Sequence, residues 1–321
     1  MKTGDIPSAA LKAYERIHTH LRQTPLSRSD YLSYMSGGEV FFKLEDAQYT
    51  GSFKVRGALN RVMAIDEGEF PGGVVTASTG NHGLAVAYAL RKTGRDCIIF
   101  VPETVSPAKL DRLKSAGSEI RYFGTDNLDT ELHARRFAVE NDMLYLSPYN
   151  DPLVIAGQAT AGLEISRQTG RVDALFASVG GGGLISGAGG YLKSMNPEIE
   201  VVGCSPVNSR AMAESVRAGR IVDVESLPTI SDGTAGGIEQ GAITFDLCRD
   251  IVDRFIDVSE DQIRASLRRI IDEEERSVEG AAAVSLAAFE SVASEYQGKK
   301  VVIIICGGNI DPALLFDILG E

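Results

Sequence analysis

The pattern that most constrains this chain is the alternation of short, β-branched apolar runs with segments of helical periodicity. "GGVVTAS" (72–78) reads as a strand, and "NHGLAVAYALRKTG" (81–94) as a helix closed by glycine. "DCIIFVP" (96–102) is the next strand. "SPAKLDRLKSAG" (106–117) is the next helix, with Ser106 as N-cap and Pro107 in the first helical position. "EIRYFG" (119–124), "LYLSP" (144–148), "VDALFASVG" (172–180), "EVVGCSP" (200–206) and "KVVIIICGG" (300–308) continue the strand series. Strands that alternate with helices form βαβ crossovers, so the fold class is α/β, with a largely parallel sheet and helices on both faces. In such folds ligands collect outside the carboxyl ends of the strands. A length of 321 residues suits one or two domains. No repeat, low-complexity segment or long linker interrupts it, so any domain boundary runs through ordinary short loops, near residues 72 and 148.

Three stretches fall at strand ends. In "FASVGGGGLISGAGG", four consecutive glycines, Gly180 to Gly183, follow a strand and precede a helix. Without Cβ atoms, successive N–H groups can turn toward one point, and the helix start adds free donors and its dipole. Such a loop is either a flexible surface turn or a phosphate cradle, and its place at a strand's carboxyl end favours the cradle. Its spacing is neither GxxxxGK[ST] nor GxGxxG, which disfavours ATP and dinucleotides. In "ASTGNHGLAVAYAL", Ser78, Thr79, Gly80 and Asn81 sit at a strand-to-helix junction whose amides suit a carboxylate, although such residues are also ordinary helix caps. His82 reads as a structural or supporting residue rather than a base, and His18, His20 and His133 as surface residues. In "IIICGGNID" (303–311) a buried strand ends in Cys306, either a core thiol or a neutral group facing a heterocycle.

"YTGSFKVRGA" (49–58) places Lys54 between a glycine-serine turn and an apolar run. A phosphate cradle, a lysine amine and a partner for a ring nitrogen are together the needs of pyridoxal 5′-phosphate, with which a lysine forms a Schiff base. Apolar neighbours would desolvate the amine and favour its neutral form.

The formal net charge of −12 and pI near 4.9 oppose nucleic-acid and anionic-membrane partners, which require basic surfaces. The four cysteines, Cys97, Cys204, Cys248 and Cys306, form no CxxC pair, and three lie in apolar runs. A reducing cytoplasm is the expected location. The N-terminal stretch has no apolar leader core, and no run reaches membrane-spanning length.

Taken together, "KLEDAQYTGSFKVRGA", "STGNHG", "DPLVIAGQAT", "SVGGGGLISG", "VEGAAAV" and "CGGNID" resemble the tryptophan-synthase-like (fold type II) pyridoxal-phosphate family, in the branch of threonine/serine dehydratases and serine racemases. "SRAMAESVRAGRIVDVESLPTISDGTAGGIE" and "EEERSVEGAAAVSLAA" look most like the dehydratase-like proteins of hydroxyectoine utilisation. The resemblance covers almost the whole chain. It implies two open, mostly parallel twisted sheets with helices on both faces. Residues 1–72 and 149–321 would form a large cofactor-binding domain and 73–148 a small mobile one, in a homodimer. It also implies roles. Lys54 holds the cofactor and moves the Cα proton. Phe53 packs on the ring, and Asn81 bonds its hydroxyl. Gly180, Gly181, Gly182, Gly183 and Leu184 hold the phosphate. Cys306 faces the pyridine nitrogen, and Glu279 lies near the ring. Ser78, Thr79, Gly80, Asn81 and His82 hold the carboxylate of a small amino-acid substrate.

Departures from the family pattern narrow the reading. Metal-dependent racemases carry acidic ligands just after the strand that is expected here to end at Gly203, where this chain has Ser205 and Ala211. No metal site is expected. Thr79 stands where racemases use a serine hydroxyl opposite the lysine, so racemisation stays open as an alternative. The short extent after "CGGNID" leaves no room for a C-terminal regulatory domain. The first expectation is an ammonia-lyase that eliminates water from a small β-hydroxy amino acid to give a 2-keto acid and ammonia. A β-replacement enzyme is disfavoured by "STGNHG", and a non-catalytic binding protein by the intact Lys54 and glycine cradle.

Overall fold

The computed structural model describes residues 1–320. Its strands are β1 (Leu26–Arg28), β2 (Glu39–Leu44), β3 (Val74–Ala77), β4 (Cys97–Val101), β5 (Glu119–Tyr122), β6 (Leu144–Tyr145), β7 (Ala174–Ser178), β8 (Glu200–Pro206), β9 (Arg254–Val258) and β10 (Lys300–Ile305). They form a six-stranded sheet in the order β1-β2-β10-β7-β8-β9 and a four-stranded sheet in the order β5-β4-β3-β6. Every pairing is parallel except β1 with β2. The α/β class and two-sheet architecture expected from the sequence are therefore present.

β10 sits in the middle of the larger sheet, and Val301 to Ile305 have no solvent exposure. A strand buried on both faces must be continuously apolar, which "VVIII" is. The helices Pro152–Thr169 and Gly183–Met195 pack tightly on each other, and Gly280–Val292 packs on β7, β8 and β10. Each fully buried Val, Leu or Ile contributes about 2 kcal/mol of burial free energy.

The small sheet uses residues 74–145. Its helix Asn81–Thr93 ends on Gly94 in the left-handed conformation (φ 68°), as the glycine signal implied. Ser106 caps the helix Pro107–Ser115 by accepting from the Lys109 N–H. One apolar cluster joins the sheets: Val55, Leu59 and Val62 of the helix Lys54–Met63 pack with Val74, Val86 and Leu90.

Several sequence-derived bounds shift. β10 stops at Ile305 rather than reaching Gly308, because Cys306 and Gly307 turn their backbone toward another segment: Ser52 bridges Gly307, and the Phe53 N–H donates to the Cys306 carbonyl at 3.0 Å. β8 covers Glu200–Pro206, as the run "EVVGCSP" implied, and does not end at Gly203 as the family comparison assumed, since β9, a strand the pattern did not reveal, pairs with it from Val202 to Pro206. His133 is not a free surface residue: its ring stacks on Phe123 at 3.7 Å and meets the Phe100 ring edge-on.

Candidate active site

β2, β10 and β7 are parallel neighbours, so the segments leaving their carboxyl ends emerge side by side. These segments carry Ser52–Lys54, Cys306–Asn309 and Gly180–Gly183. β3 delivers Ser78–Asn81 from the facing sheet. The topology thus collects, at one edge, the stretches that are far apart in the chain.

Lys54 is the first residue of its helix and is half-buried. Nζ donates to the Pro148 carbonyl at 3.2 Å and lies 5.1 Å from the Phe53 ring centroid. Burial lowers the amine to about 8, with Cys306 and Glu279 opposing the shift. Two residues earlier, Ser52 Oγ is buried without a hydrogen-bond partner.

The glycine loop runs straight into the helix Gly183–Met195, whose start no side chain caps. Its first amides are left open, as an anion site requires. Gly182 has φ 83°, a left-handed conformation that favours glycine. A Cβ on Gly181 would lie 2.4 Å from ring atoms of Tyr149, and one on Gly180 would meet the Thr234 backbone at 3.0 Å. The Leu184 side chain is buried in the core, so only its backbone can face a ligand.

Asn81 joins two of the distant segments. Its Nδ2 donates to Glu279 Oε2 at 2.7 Å, and its Oδ1 accepts from Asn309 Nδ2 at 2.7 Å. Cys306 Sγ lies 3.8 Å from Glu279 Oε1. Burial raises Glu279 to about 7, against the hydrogen bonds from Asn81 and Cys306. The Cys306 thiol is pushed up by burial and stays protonated. His82 is buried, its Nε2 contacts the Leu146 carbonyl at 2.9 Å, and desolvation holds the ring at about 3, so it is neutral. Ser78, Thr79 and Gly80 are half-buried in the turn, where Ser78 Oγ accepts from the Gly80 N–H at 3.3 Å.

Phe53, Lys54, Ser78 to Asn81, Gly180 to Gly183 and Cys306 lie on these converging segments, His82 and Leu184 follow them in the first turns of their helices, and Glu279 reaches Asn81 and Cys306 from the start of the helix Gly280–Val292. Pro148, Tyr149, Thr234 and Asn309 join them. Nothing in the linear order ties Asn309 to Asn81 or Tyr149 to Gly181.

A second constellation underlies Lys54. Arg56 Nε and Nη1 pair with Glu45 and Glu164, each at 2.7 Å, and Lys43 Nζ pairs with Glu164 at 2.6 Å. Thr24 Oγ1 donates to Glu45 at 2.6 Å. The two cations and two anions are almost wholly buried and balance one another. They tether the first turn of the lysine helix to β2 and to the helix Pro152–Thr169.

These residues fit pyridoxal 5′-phosphate. The glycine loop is a cradle with no room for side chains, the helix start offers amides to a phosphate, and a half-buried lysine amine stands at the same edge. The chain is 37% identical over 310 residues to an L-threonine ammonia-lyase of Thermotoga maritima, covering 97% of this chain and 77% of the relative. It is 35% identical to a catabolic L-threonine dehydratase of Escherichia coli, covering 99% and 98%. The solved structure of maize serine racemase superposes with a TM-score of 0.91 at 31% identity, covering 98% and 96%. Residues 17–307 match the family model described as pyridoxal-phosphate dependent enzyme. The chain therefore belongs to the pyridoxal-phosphate-dependent enzymes, with pyridoxal 5′-phosphate as its cofactor.

Proposed function

We propose that this protein is an ammonia-lyase that removes water from a small β-hydroxy amino acid of the threonine or serine kind, giving a 2-keto acid and ammonia. The observation that carries the reading is the half-buried Lys54 amine, lowered to about 8, at the same strand edge as the uncapped glycine loop. The threonine ammonia-lyase and dehydratase relatives support it.

When bound, pyridoxal phosphate supplies an electron sink for negative charge at Cα. Lys54 acts as the base that takes the Cα proton, its neutral form made accessible near pH 8 by burial. Phe53 forms a wall beside the amine. The amides of the Ser78–Asn81 turn and the start of the helix Asn81–Thr93 receive the substrate carboxylate, and neutral His82 adds no competing charge. Cys306, a protonated thiol, would partner the ring nitrogen of the bound cofactor without the full negative charge of a carboxylate. The Cα–H and Cβ–O bonds break, water leaves, and the freed enamine hydrolyses to the 2-keto acid and ammonia.

Residues 1–72 and 149–321 act as the cofactor-binding body, and 73–148 as a smaller unit that closes over it and excludes water. The active form is a cytoplasmic homodimer. The four free cysteines suit a reducing compartment, and ultracentrifugation checks the dimer.

Replacing Lys54 by Ala tests the central assignment. The variant should lose both the visible absorbance of bound cofactor and 2-keto acid release from L-threonine; retention of both would overturn it. A second reading, racemisation, is favoured by the Thr79 hydroxyl in the substrate turn and the similarity to serine racemase. Loss of optical activity without keto acid formation would select it.

A further inference from the structure

The Asn81 side chain is held at both ends of its amide, and its partners decide which end is which. The order starts at a backbone carbonyl, that of Thr50, in the turn that leads to Lys54. A carbonyl can only accept. Asn309 Nδ2 donates to it at 2.9 Å, and the same nitrogen donates its other hydrogen to Asn81 Oδ1 at 2.7 Å. With its oxygen committed to Asn309, Asn81 turns Nδ2 toward Glu279 and donates to Oε2 at 2.7 Å. Glu279 accepts at its other oxygen as well, from the Cys306 thiol at 3.8 Å. An acceptor at each end of the chain therefore fixes the sense of both amides.

Asn309 is itself pinned. The Gly308 N–H donates to the Gly51 carbonyl at 2.9 Å, which anchors the segment against the Lys54 turn. A Cβ on Gly51 would lie 2.7 Å from Asn309 Oδ1, so the asparagine packs against a position that only glycine leaves open. Asn81 belongs to the helix Asn81–Thr93 of the small sheet, whereas Thr50, Glu279 and Asn309 lie on segments around the larger sheet. The sense of the Asn81 amide is thus imposed from outside its own turn. One Nδ2 hydrogen of Asn81 is left over.

We propose that Asn309 is a positioning residue for the cofactor: by fixing the sense of the Asn81 amide, it directs the remaining Nδ2 hydrogen at the ring hydroxyl oxygen of bound pyridoxal phosphate. A donor at that place favours the ionised oxygen over the neutral hydroxyl. The family resemblance gives Asn81 the ring hydroxyl; the control of its direction by Asn309 and the Thr50 carbonyl follows from the hydrogen bonds of this chain. The proposal concerns the cofactor alone and is independent of the ammonia-lyase reading.

The test compares holoenzyme variants at one fixed pH by the absorbance of the bound cofactor, as the ratio of the long-wavelength band of the ionised ring to the short-wavelength band of the neutral one. Asn309→Asp keeps the shape of asparagine but carries acceptors only. It repels Asn81 Oδ1, turns the Asn81 amide over and puts an oxygen where the N–H was, so the ratio should fall at least about tenfold. Asn309→Ala removes the clamp without reversing it, and the ratio should fall about threefold. Glu279→Gln still offers an oxygen to Asn81 Nδ2, and the ratio should stay at or above that of wild type. A role in packing alone reverses the order of Asp and Ala, since Asp keeps the volume that Ala removes, and it moves the urea midpoint without the ratio. An Asp variant no worse than the Ala variant, or a ratio that collapses as far in Glu279→Gln as in Asn309→Asp, overturns the proposal. If Asn309→Asp folds but holds no cofactor, the order is read as Kd by titration with pyridoxal phosphate: wild type should bind tightest, then Ala, then Asp, and any other order overturns it. If Asn309→Asp does not fold, Asn309→Leu, which keeps the volume without a polar atom, should lower the ratio as Ala does, and a wild-type ratio overturns the proposal.

Discussion

At the scale of single residues, the site is governed by what burial does to two ionisable groups and one glycine. Glu279 is raised to about 7 from an ordinary value of 4.5. Between those limits the folded chain keeps a proton that the unfolded chain has released, so this residue's contribution to stability falls as pH rises through the window. Glu279→Gln removes the titration while keeping the side chain's shape. The pH dependence of the unfolding midpoint should flatten between about pH 4.5 and 7, and an unchanged slope would assign it to another group. Lys54 is the opposite case, a cation made reluctant to hold its proton. Gly181 matters for space rather than conformation. An alanine there would drive its Cβ to 2.4 Å from the Tyr149 ring. Overpacking of that kind costs about 1–3 kcal/mol. Gly181→Ala should therefore weaken cofactor binding by about tenfold or more while circular dichroism stays native. Lys54 and the glycines were legible in the sequence because residue type alone restricts their use. The Glu279–Asn81–Asn309 chain was only partly so, since hydrogen-bond partners 198 and 228 positions apart leave no local signature.

At the scale of elements, the helix Lys54–Met63 is positioned by charge as well as by apolar packing. Val55, Leu59 and Val62 bury one side of it, and Arg56 ties its first turn to Glu45 and Glu164. Removing one member of a buried, balanced network leaves an uncompensated charge, at about 3–5 kcal/mol. Arg56→Met should destabilise the fold by about that amount in urea denaturation. Lys43 and Glu45 were visible in "KLEDAQYTGSFKVRGA" as part of a resemblance, but their role was not, because Glu164 lies on a helix more than a hundred residues away. The strand–helix alternation was readable wherever a strand is apolar throughout. β1 ("LSR"), β2 ("EVFFKL") and β9 ("RFIDV") escaped it because charged residues at their ends or within them break the apolar run.

At the scale of the whole molecule, the loop 231–241 is held from the small-sheet side at two points: Lys109 Nζ pairs with Asp232 at 2.9 Å and Arg135 pairs with Glu239. The Lys109–Asp232 pair is largely exposed, and such a pair contributes at most about 1 kcal/mol. Lys109→Ala should leave urea stability within about that margin yet speed amide hydrogen exchange across residues 231–241; unchanged exchange would show that the pair does not restrain the loop. Alternating apolar runs were enough by themselves to determine an α/β fold, and the spacing and type of Lys54, Gly180–Gly183, Asn81 and Cys306 were enough to name a cofactor chemistry, because few residues can supply an imine-forming amine or a side-chain-free cradle. Only the tertiary structure decided that the small and large sheets meet through Asn81 and Glu279, and that Arg135 is paired with both Glu131 and Glu239. Those are facts about which atoms become neighbours when parallel strands bring distant segments to one edge, and proximity in space is what linear order does not encode.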